Sequence, residues 1–578
     1  MSIRNVADVL VETLMQAGVK RIHGLVGDSL NGITESLRER KQIEWIHYRH
    51  EEAAAFAASA ESQVTGQLAV CAGSCGPGNL HLINGLYDAH RTRTPVLAIA
   101  AHIPSAEIGS KYFQETHPQN LFQECSHYCE LISSASQINR AAATAIRTAV
   151  GQRGVAVLVI SGDVALSDAS GPIAGNVGLL PVAPKVVPED AQLDQLAALL
   201  GSGRKVTLFC GRGCAGAHDQ VIQLAETLKA PTVHALGGKE HVEWDNPYDV
   251  GMTGLIGFSS GYEAMMSCDT LLLLGTDFPY RQFFPEKAKI CQIDLRAENL
   301  GRRCHLELGL VGDVGATIQA LLPRLKTATD DAHLKSSLAN YKKAREGLND
   351  LAVGKAGSKP IHPQYVVKVV SDLANDDTIF TCDVGTPTIW AARYLHVNGK
   401  RRLLGSFVHG SMANAMPQAI GAQTAYPKRQ IVSLSGDGGF AMLMGDLLTL
   451  VQHKLPVKIV VINNGTLGFV ELEMKASGFL PFGVSLDNPD FSAIARAAGI
   501  YGVRVEDAGD LEKAVRDAFA HDGPALVDVV TNRQELAMPP KIELEQMKGF
   551  SLWALRTVMN GRGDELIELA RSNLNLLR

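Results

Sequence analysis

The most constraining feature of this chain is the alternation of short, continuous apolar runs with helix-length amphipathic segments along nearly its whole length. Three of the runs are VAVLVI at 155–160, TLLLLG at 270–275 and VKIVVIN at 457–463. Runs without polar alternates are typical of parallel strands buried on both faces, and the segments between them supply crossover helices. We therefore predict an α/β fold built from doubly wound parallel sheets.

The length of 578 residues exceeds what one hydrophobic core supports, so the strands must be divided among several domains. Two stretches interrupt the strand rhythm. Residues 168–190 are rich in Pro, Gly and Ala, and residues 326–362 are charged and end in a Gly- and Pro-containing segment. We place the divisions there and predict three domains and a tail, at 1–180, 181–335, 336–534 and 535–578.

Charge and cysteine content exclude several functional classes. A formal net charge of −6 lacks the basic surface of a nucleic-acid-binding protein. Ten cysteines in a chain of this length do not indicate a disulfide framework. Three cysteine pairs are spaced four apart, which leaves zinc ligation open, but buried small residues in a reducing compartment are favoured.

The first 18 residues predict an amphipathic helix that carries Asp8 and Glu12, rather than a signal peptide. No apolar run approaches the roughly 18 to 20 residues that span a bilayer. We therefore expect a cytoplasmic protein that is soluble or attached to a membrane surface.

Residues 430–469 form the most informative segment. A strand ending near Ser435, a glycine turn, a helix to about His453 and a strand to Asn463 make one βαβ unit. Because parallel strands share their carboxyl edge, Asp437 and Asn464 should lie together there. Their oxygens suit Mg²⁺, and the glycines of the turn let phosphates approach the backbone.

The GDG and NN elements of this segment resemble the signature of the thiamine-diphosphate enzymes, which include acetolactate synthases, pyruvate decarboxylases and pyruvate oxidases. The resemblance implies that Mg²⁺ is held by Asp437, Asn464 and the backbone carbonyl of Thr466. It also implies that thiamine diphosphate is bound by Glu51, Gly410, Ser411, Met412, Asp437, Gly438, Gly439, Asn464, Gly465, Thr466, Leu467, Gly468, Phe469 and Val470.

The same resemblance implies a catalytic glutamate at the start of an Ala-rich helix, and RHEEAAAFA at 49–57 contains one. Its first carboxylate, Glu51, would bond to the aminopyrimidine ring of the cofactor and move a proton. Glu51 and Glu52 could instead simply favour a helix N-terminus. Met412 resembles the apolar wedge that bends the cofactor, and it could equally belong to the core.

Several longer stretches, among them residues 71–105, 113–131 and 548–570, resemble the pyruvate oxidases that transfer electrons to quinone. That resemblance implies oxidative decarboxylation of pyruvate, with FAD in the middle domain and ubiquinone as the acceptor. The implied FAD-binding residues are Gly211, Gly213, Thr253, Gly254, Leu255, Ile256, Thr276, Asp277, Phe278, Pro279, Tyr280, Asp294 and Asp313. Gly211–Gly216 satisfies G-x-G-x-x-G, but the acidic residue expected about 20 positions later is missing.

Phe469 and Glu473 follow the NN element at helical spacing i, i+4 and so share one helix face. By the resemblance, both act catalytically near the reacting centre. A core phenylalanine and a solvated glutamate are the alternative.

The tail contains Leu566, Leu569, Ala570, Leu574 and Leu577 at helical spacing. Such a helix either packs on the protein or lies in a membrane interface. The resemblance implies attachment of the tail to membrane lipid, at the inner face of the cell membrane.

The resemblance also implies an active site between two subunits, and thus a homo-oligomer, a tetramer by the same reasoning. Three alternatives stay open: an acetolactate synthase-like carboligase with a structural FAD, an oxygen-dependent pyruvate oxidase and a non-catalytic scaffold. The presence of Glu51, Asp437 and Asn464 argues against the scaffold.

Overall fold

A computed structural model describes residues 4–169, 176–536, 544–560 and 563–573. It contains three six-stranded sheets, and every strand pairing within them is parallel. The predicted fold class is therefore confirmed. A two-stranded antiparallel ribbon, β1 with β8, lies beside the first sheet.

The first sheet has the strand order β3-β2-β4-β5-β7-β6. The strands of this domain are β1 (Arg4–Asn5), β2 (Arg21–Gly24), β3 (Glu44–His47), β4 (Ala69–Gly73), β5 (Val96–His102), β6 (Tyr128–Ile132), β7 (Val155–Ser161) and β8 (Asp168–Ala169). Its helices are α1 (Val6–Gln16), α2 (Asn31–Arg40), α3 (Glu51–Thr65), α4 (Pro77–Arg91), α5 (Pro118–Leu121), α6 (Ile138–Gln152), α7 (Gly162–Ala165) and α8 (Asn176–Leu179).

The second sheet has the order β11-β10-β9-β12-β13-β14. Its strands are β9 (Val206–Cys210), β10 (Thr232–His234), β11 (Asp249–Met252), β12 (Thr270–Leu274), β13 (Lys289–Asp294) and β14 (Leu308–Val311). The helices are α9 (Asp190–Ser202), α10 (His218–Leu228), α11 (Lys239–Val242), α12 (Ser259–Met266), α13 (Val314–Leu321) and α14 (Ala332–Leu351). The predicted division at 335/336 falls inside α14, whose Leu338 and Tyr341 pack against the core of this second sheet.

The third sheet has the order β16-β15-β17-β18-β20-β19. Its strands are β15 (Ile379–Cys382), β16 (Arg402–Gly405), β17 (Ile431–Gly436), β18 (Lys458–Asn463), β19 (Tyr501–Val505) and β20 (Ala525–Val530). The helices are α15 (Pro363–Leu373), α16 (Thr386–Tyr394), α17 (Ala415–Ala425), α18 (Asp437–Leu443), α19 (Leu447–Gln452), α20 (Gly468–Ala476), α21 (Phe491–Ala497) and α22 (Ala508–Ala520).

Two helices follow in the tail, α23 (Leu544–Met559) and α24 (Gly563–Asn573). Of the apolar residues singled out in the tail, Leu574 and Leu577 lie outside the described residues, as does part of the 168–190 linker. No helix among the described residues combines the length and apolarity needed to cross a membrane.

The first and third domains pack through α3 and α17, and side chains of both helices share one hydrophobic core. Ala-rich faces allow this close approach: a Cβ added to Gly421 of α17 would lie 2.1 Å from the carbonyl oxygen of Ala57 of α3. This packing brings the start of α3 towards the turns of the third sheet.

Candidate active site

The glycine turn 436–439 and the NN element lie at the carboxyl edge of two neighbouring strands. β17 and β18 pair in parallel, with Gly436 opposite Ile462. Asp437 therefore begins α18 beside Asn464, which follows β18. The single helix expected between the strands is broken by a 3₁₀ turn at Met444–Asp446, where Asp446 accepts hydrogen bonds from Arg49 N and Thr449 Oγ1.

The Asp437 carboxylate is 3% exposed and is held by three donors. Oδ1 accepts from Gly438 N at 2.8 Å, and Oδ2 accepts from Gly465 N at 2.7 Å and Asn488 Nδ2 at 2.8 Å. Burial raises the pKa of Asp437, and the hydrogen bonds from the backbone oppose that rise. A buried carboxylate of this kind is suited to a cation, which would offset its desolvation.

The loop after β18 is held in a fixed shape. Asn464 Oδ1 accepts from Thr466 N at 3.2 Å, and Gly465 has a left-handed backbone with φ +66°. Leu467 N donates to Val484 O, and Leu486 N donates to Gly465 O. The loop thus presents amide and carbonyl oxygens beside the Asp437 carboxylate, and such hard oxygen donors fit Mg²⁺.

A buried ionic network behind this loop is absent from the sequence predictions. Glu471 is 4% exposed, and its Oε2 accepts from Thr466 Oγ1 at 2.6 Å. Its charge is balanced by Lys475 Nζ at 2.7 Å and by Arg533 NH2 at 3.1 Å. Position 471 lies between the two predicted catalytic residues of α20, Phe469 and Glu473, and a lone glutamate in a helix gives no signal of burial.

Gly438 and Gly439 stand where a side chain would clash with neighbouring residues. A Cβ on Gly439 would lie 2.5 Å from Asp383 Oδ2, and one on Gly438 would lie 2.9 Å from Leu467 Cδ2 and 3.3 Å from Met412 Cε. Met412 therefore lies against the glycine turn. The turn as a whole fits a diphosphate, which needs close approach to backbone N–H groups.

The 410–412 turn also contacts the first domain. Ser411 Oγ accepts a hydrogen bond from Asn84 Nδ2 at 2.9 Å, and the same nitrogen donates to Glu52 Oε1 at 2.7 Å. Gly410 has φ +85°, and Ala413, three residues later, has φ +65°, so both have a left-handed backbone conformation. The two domains are thus joined by hydrogen bonds at this turn.

Glu51 is the first residue of α3 and is 5% exposed. Its Oε2 lies 2.9 Å from His81 Nδ1 of α4, and the His81 ring stacks on His50 at 4.3 Å. Among the described residues, no hydrogen bond joins Glu51 to Asp437, Asn464 or Thr466. His81 has no sequence signal, because α4 places it beside Glu51 only in the folded domain.

The cysteines do not form a metal centre. All ten are free thiols, and the one His/Cys/Asp/Glu group of suitable spacing among the described residues is His50, Glu51 and His81. The three ligand atoms of that group lie within 4.8 Å of one another. Eight of the ten cysteines are buried, and five lie in strands: Cys71, Cys129, Cys210, Cys291 and Cys382.

The residues expected to bind FAD follow successive strands of the second sheet. Gly211 and Gly213 follow β9, residues 253–256 follow β11 and residues 276–280 follow β12. Asp294 ends β13, and Asp313 follows β14. All therefore lie at the carboxyl edge of one sheet, where open α/β folds bind ligands.

The two glycines of G-x-G have a packing role of their own. Gly213 N donates to Gly275 O at 2.9 Å, and a Cβ on Gly213 would lie 2.6 Å from Gly275 Cα. The loops after β9 and β12 can therefore touch only without side chains. This close contact explains why glycine is needed at positions 211 and 213. The acidic residue that binds the ribose in a standard dinucleotide motif is missing.

The acidic residues of this edge already have protein partners. Asp294 Oδ1 accepts from Arg296 N and Asn299 Nδ2, and Asp313 Oδ1 caps α13 through Ala316 N. Asp277 pairs with Arg302 and Arg303. Each of these carboxylates can still accept a further hydrogen bond, because a carboxylate has about four acceptor sites. The aromatic ring of Phe278 lies 2.9 Å from where a Cβ on Gly254 would stand, so these two predicted segments also touch.

The helix α20 carries Phe469 and Glu473. Phe469 is half-buried against the core of the third domain, Glu473 is exposed, and Val470 is 41% exposed. The tail covers this helix: Trp553 of α23 is 1% exposed, and Arg556 NH1 donates to Gly478 O at 2.6 Å. Attachment of the tail to a membrane interface stays a prediction.

Comparison with known proteins identifies all three domains. Residues 4–124 match the N-terminal thiamine pyrophosphate (TPP) binding domain of thiamine pyrophosphate enzymes, residues 193–321 their central domain, and residues 383–529 their C-terminal TPP binding domain. A Bacillus subtilis protein, provisionally named as thiamine pyrophosphate-containing, is 34% identical over 99% of both chains.

Two relatives have named activities. The pyruvate oxidase of Lactiplantibacillus plantarum is 30% identical over 93% of this chain and 90% of its own. The acetolactate synthase of Mycobacterium bovis is 29% identical over 92% of this chain and 89% of its own. These identities are too close to each other to distinguish the two activities.

Proposed function

The chain belongs to the thiamine pyrophosphate enzymes, and from that membership we propose that it oxidatively decarboxylates pyruvate to acetate and CO₂ and passes the electrons through FAD to ubiquinone. When bound, thiamine diphosphate would supply a nucleophilic carbon and an electron sink for the decarboxylation of a 2-keto acid. The observation that carries the proposal is the buried Asp437 carboxylate between the glycine turn and the Asn464 loop.

The residues of this chain have distinct roles in that reaction. Asp437, Asn464 and the carbonyl of Thr466 would hold Mg²⁺ and thereby the diphosphate. Glu51, buried at a helix start, would hold a proton against the aminopyrimidine ring. Its partner His81, 2.9 Å away, orients the carboxylate.

We also propose that the active site is shared between two copies of the chain in a homo-oligomer, a tetramer by family resemblance. Within one chain the Glu51 carboxylate bonds to His81, whereas the Asp437 carboxylate bonds to Gly465 and Asn488. A site that needs both carboxylates is completed if Glu51 of one copy faces Asp437 of another. Val26, Ile108 and Phe113 of the first domain are exposed apolar residues suited to such an interface, at 51%, 41% and 78% exposure.

FAD is proposed for the carboxyl edge of the second sheet. Support comes from five predicted segments that meet at this one edge, and from the glycine contact between the loops after β9 and β12. The cluster around Phe278 offers aromatic surface there, with Tyr280 at a centroid distance of 5.3 Å.

We propose that the tail brings the protein to the inner face of the cell membrane. The exposed surface of α23 and α24 carries several apolar residues: Leu555, Val558, Met559 and Ile567 are 57%, 56%, 77% and 55% exposed. An amphipathic helix with such a face binds the bilayer interface, and Lys548, also exposed, can meet anionic headgroups.

A carboligase with a structural FAD is the second candidate, because the acetolactate synthase relative is nearly as similar as the pyruvate oxidase. It would condense two pyruvate molecules and leave the flavin oxidised. An oxygen-dependent oxidase would instead reoxidise its flavin with oxygen and release peroxide.

One anaerobic experiment separates these activities. Protein with FAD, Mg²⁺ and thiamine diphosphate is mixed with pyruvate while the flavin absorbance near 450 nm is followed. Ubiquinone analogue and anionic lipid vesicles are then added, and air is added to a parallel sample. Bleaching followed by recovery with quinone supports the proposal. Pyruvate consumption without bleaching identifies the carboligase, and recovery with air alone identifies the oxidase.

A further inference from the structure

Asp383 is a buried acid that directly follows β15 and has no place in the sequence predictions. It is 1% exposed, and burial raises the pKa of its carboxyl to about 7. Among the residues that the structure describes, backbone N–H groups are its partners and no ion pair is present. Such a charge is costly to bury, so its position calls for a specific role.

The two oxygens of Asp383 bond to two different turns. Oδ1 accepts from Ala415 N at 2.9 Å, at the start of α17 and three residues after Met412. Oδ2 accepts from Gly436 N at 3.2 Å, in the turn that leads to Asp437. These are the two turns that carry Met412 and Asp437, the predicted wedge and the predicted metal ligand.

The packing around this carboxylate leaves little freedom. A Cβ on Gly439 would lie 2.5 Å from Asp383 Oδ2 and 3.1 Å from Ala413 N. The backbone of Asp383 is itself held, because its N donates to Leu434 O of β17 and its O accepts from Thr388 Oγ1. The carboxylate is therefore a rigid link between the two turns.

One of the linked turns is strained. Ala413 has φ +65°, a left-handed conformation that disfavours residues with a Cβ. The next residues are Asn414, whose side chain donates to Cys382 O at 2.9 Å, and Ala415, which donates to Asp383. These hydrogen bonds hold the turn that aims Met412 at the glycine turn, where its Cε lies 3.3 Å from the Cβ position of Gly438.

We propose that Asp383 is a positioning residue that locks the Met412 turn to the Asp437 turn and thereby sets the affinity for Mg²⁺ and thiamine diphosphate. It touches neither ligand and acts only through the two turns. The inference rests on the cofactor of the family and is independent of FAD, quinone and the tail.

The test uses Asp383→Asn in the full-length chain. The amide is isosteric but offers one acceptor oxygen, so its NH₂ group must face the N–H of one turn. Titration calorimetry of cofactor-free protein with thiamine diphosphate at fixed Mg²⁺ gives the Kd. We expect the Kd to rise about 10- to 100-fold, as for other residues behind a metal site. Asp376→Asn, an exposed aspartate of the same domain, should change the Kd less than about twofold.

A second substitution separates positioning from general destabilisation. Glycine accepts φ +65° without strain, so Ala413→Gly should matter little while Asp383 holds the turn. In the Asp383→Asn background it should restore the affinity by about threefold or more, because the turn is then no longer held. The unfolding temperature of the cofactor-free protein is recorded for each variant.

The outcomes are distinct. A Kd of Asp383→Asn within about threefold of the wild type overturns the proposal, as does a rise that Ala413→Gly leaves unchanged. If Asp383→Asn does not fold, Asp383→Glu is measured instead, since its longer side chain cannot keep both hydrogen bonds in this tight packing without moving one of the two turns. An unaltered Kd in that variant also overturns the proposal. Because pyruvate, flavin and quinone are absent from the titration, failure here leaves the proposed reaction untouched.

Discussion

The Nζ atom of Lys475 lies 5.0 Å from the ring centroid of Trp553, so the C-terminal helix α23 is joined to α20 by a cation–π contact. Lys475 also pairs with Glu471 at 2.7 Å, and Glu471 accepts a hydrogen bond from Thr466. The tail therefore rests on the helix that directly follows the predicted metal loop.

Trp553→Ala should release the tail from α20. Truncation of a buried tryptophan costs about 3–5 kcal/mol. We expect this loss to exceed the free energy that the remaining contacts of α23 contribute to its packing on α20. We expect faster cleavage between the third domain and α23 in limited proteolysis, with the remaining body intact. Leu555→Ala, on the exposed face of the same helix at 57% exposure, is the control and should leave the cleavage rate unchanged. Equal rates for both variants would mean that Trp553 does not hold the tail.

Glu51→Gln should abolish most of the turnover even at saturating thiamine diphosphate. The amide cannot exchange a proton, and loss of general acid–base catalysis typically costs about 10²- to 10⁴-fold in rate. The measurement is pyruvate consumption at saturating thiamine diphosphate, beside the Kd for the cofactor. Glu52→Gln retains the acceptor for Asn84 Nδ2 and serves as the matched control. Near-wild-type turnover of Glu51→Gln would remove this residue from the mechanism.

Gly213→Ala should destabilise the middle domain. The added Cβ would lie 2.6 Å from Gly275 Cα. This clash is with the backbone, so it can be relieved only if the loop itself moves. Overpacking of this kind costs about 1–3 kcal/mol, and thermal unfolding should register it as a lower Tm, with weaker FAD binding. Gly201→Ala in α9 has open space around its Cβ and should be neutral or slightly stabilising. A Tm of Gly213→Ala equal to that of Gly201→Ala would contradict the close contact.

The pair His362–Glu535 should make stability depend on pH. His362 Nδ1 lies 2.7 Å from Glu535 Oε2, and this hydrogen bond raises the pKa of His362. A raised pKa in the folded state means that the stabilisation is fully present below the unfolded pKa, near 6.5, and is lost as the pH rises through the folded pKa. Because His362 is about one-third exposed, the effect should be on the order of 1 kcal/mol or less.

The check is the free energy of unfolding in denaturant at pH 5.5 and pH 8.5 for the wild type and for His362→Gln. The difference between the two proteins should shrink at the higher pH, since the neutral imidazole interacts weakly with Glu535. A difference that is constant or grows with pH would show that the imidazole is not the titrating group.

The sequence alone was sufficient for the fold class and for the position of Asp437 beside the loop that follows Asn464. Short continuous apolar runs that alternate with amphipathic helix-length segments are typical of strands buried on both faces, so parallel α/β domains follow from this pattern. Asp437 and Asn464 could be paired from the sequence because one helix and one strand return the chain to the same sheet edge. The family resemblance added Glu51 and the residues of the glycine turns.

What only the tertiary structure decided is which distant residues support those groups. Asp383, His81, Glu471 and Asn488 reach the site through the packing of strands and helices that are far apart in the chain, and isolated acids, amides and histidines carry no local pattern. The 3₁₀ turn at Met444–Asp446, which interrupts the helix expected after Asp437, also depends on tertiary packing. Asp446 accepts a hydrogen bond there from the backbone N–H of Arg49 in the first domain. Local periodicity determines which elements form, whereas the partner of a buried polar side chain depends on how those elements meet.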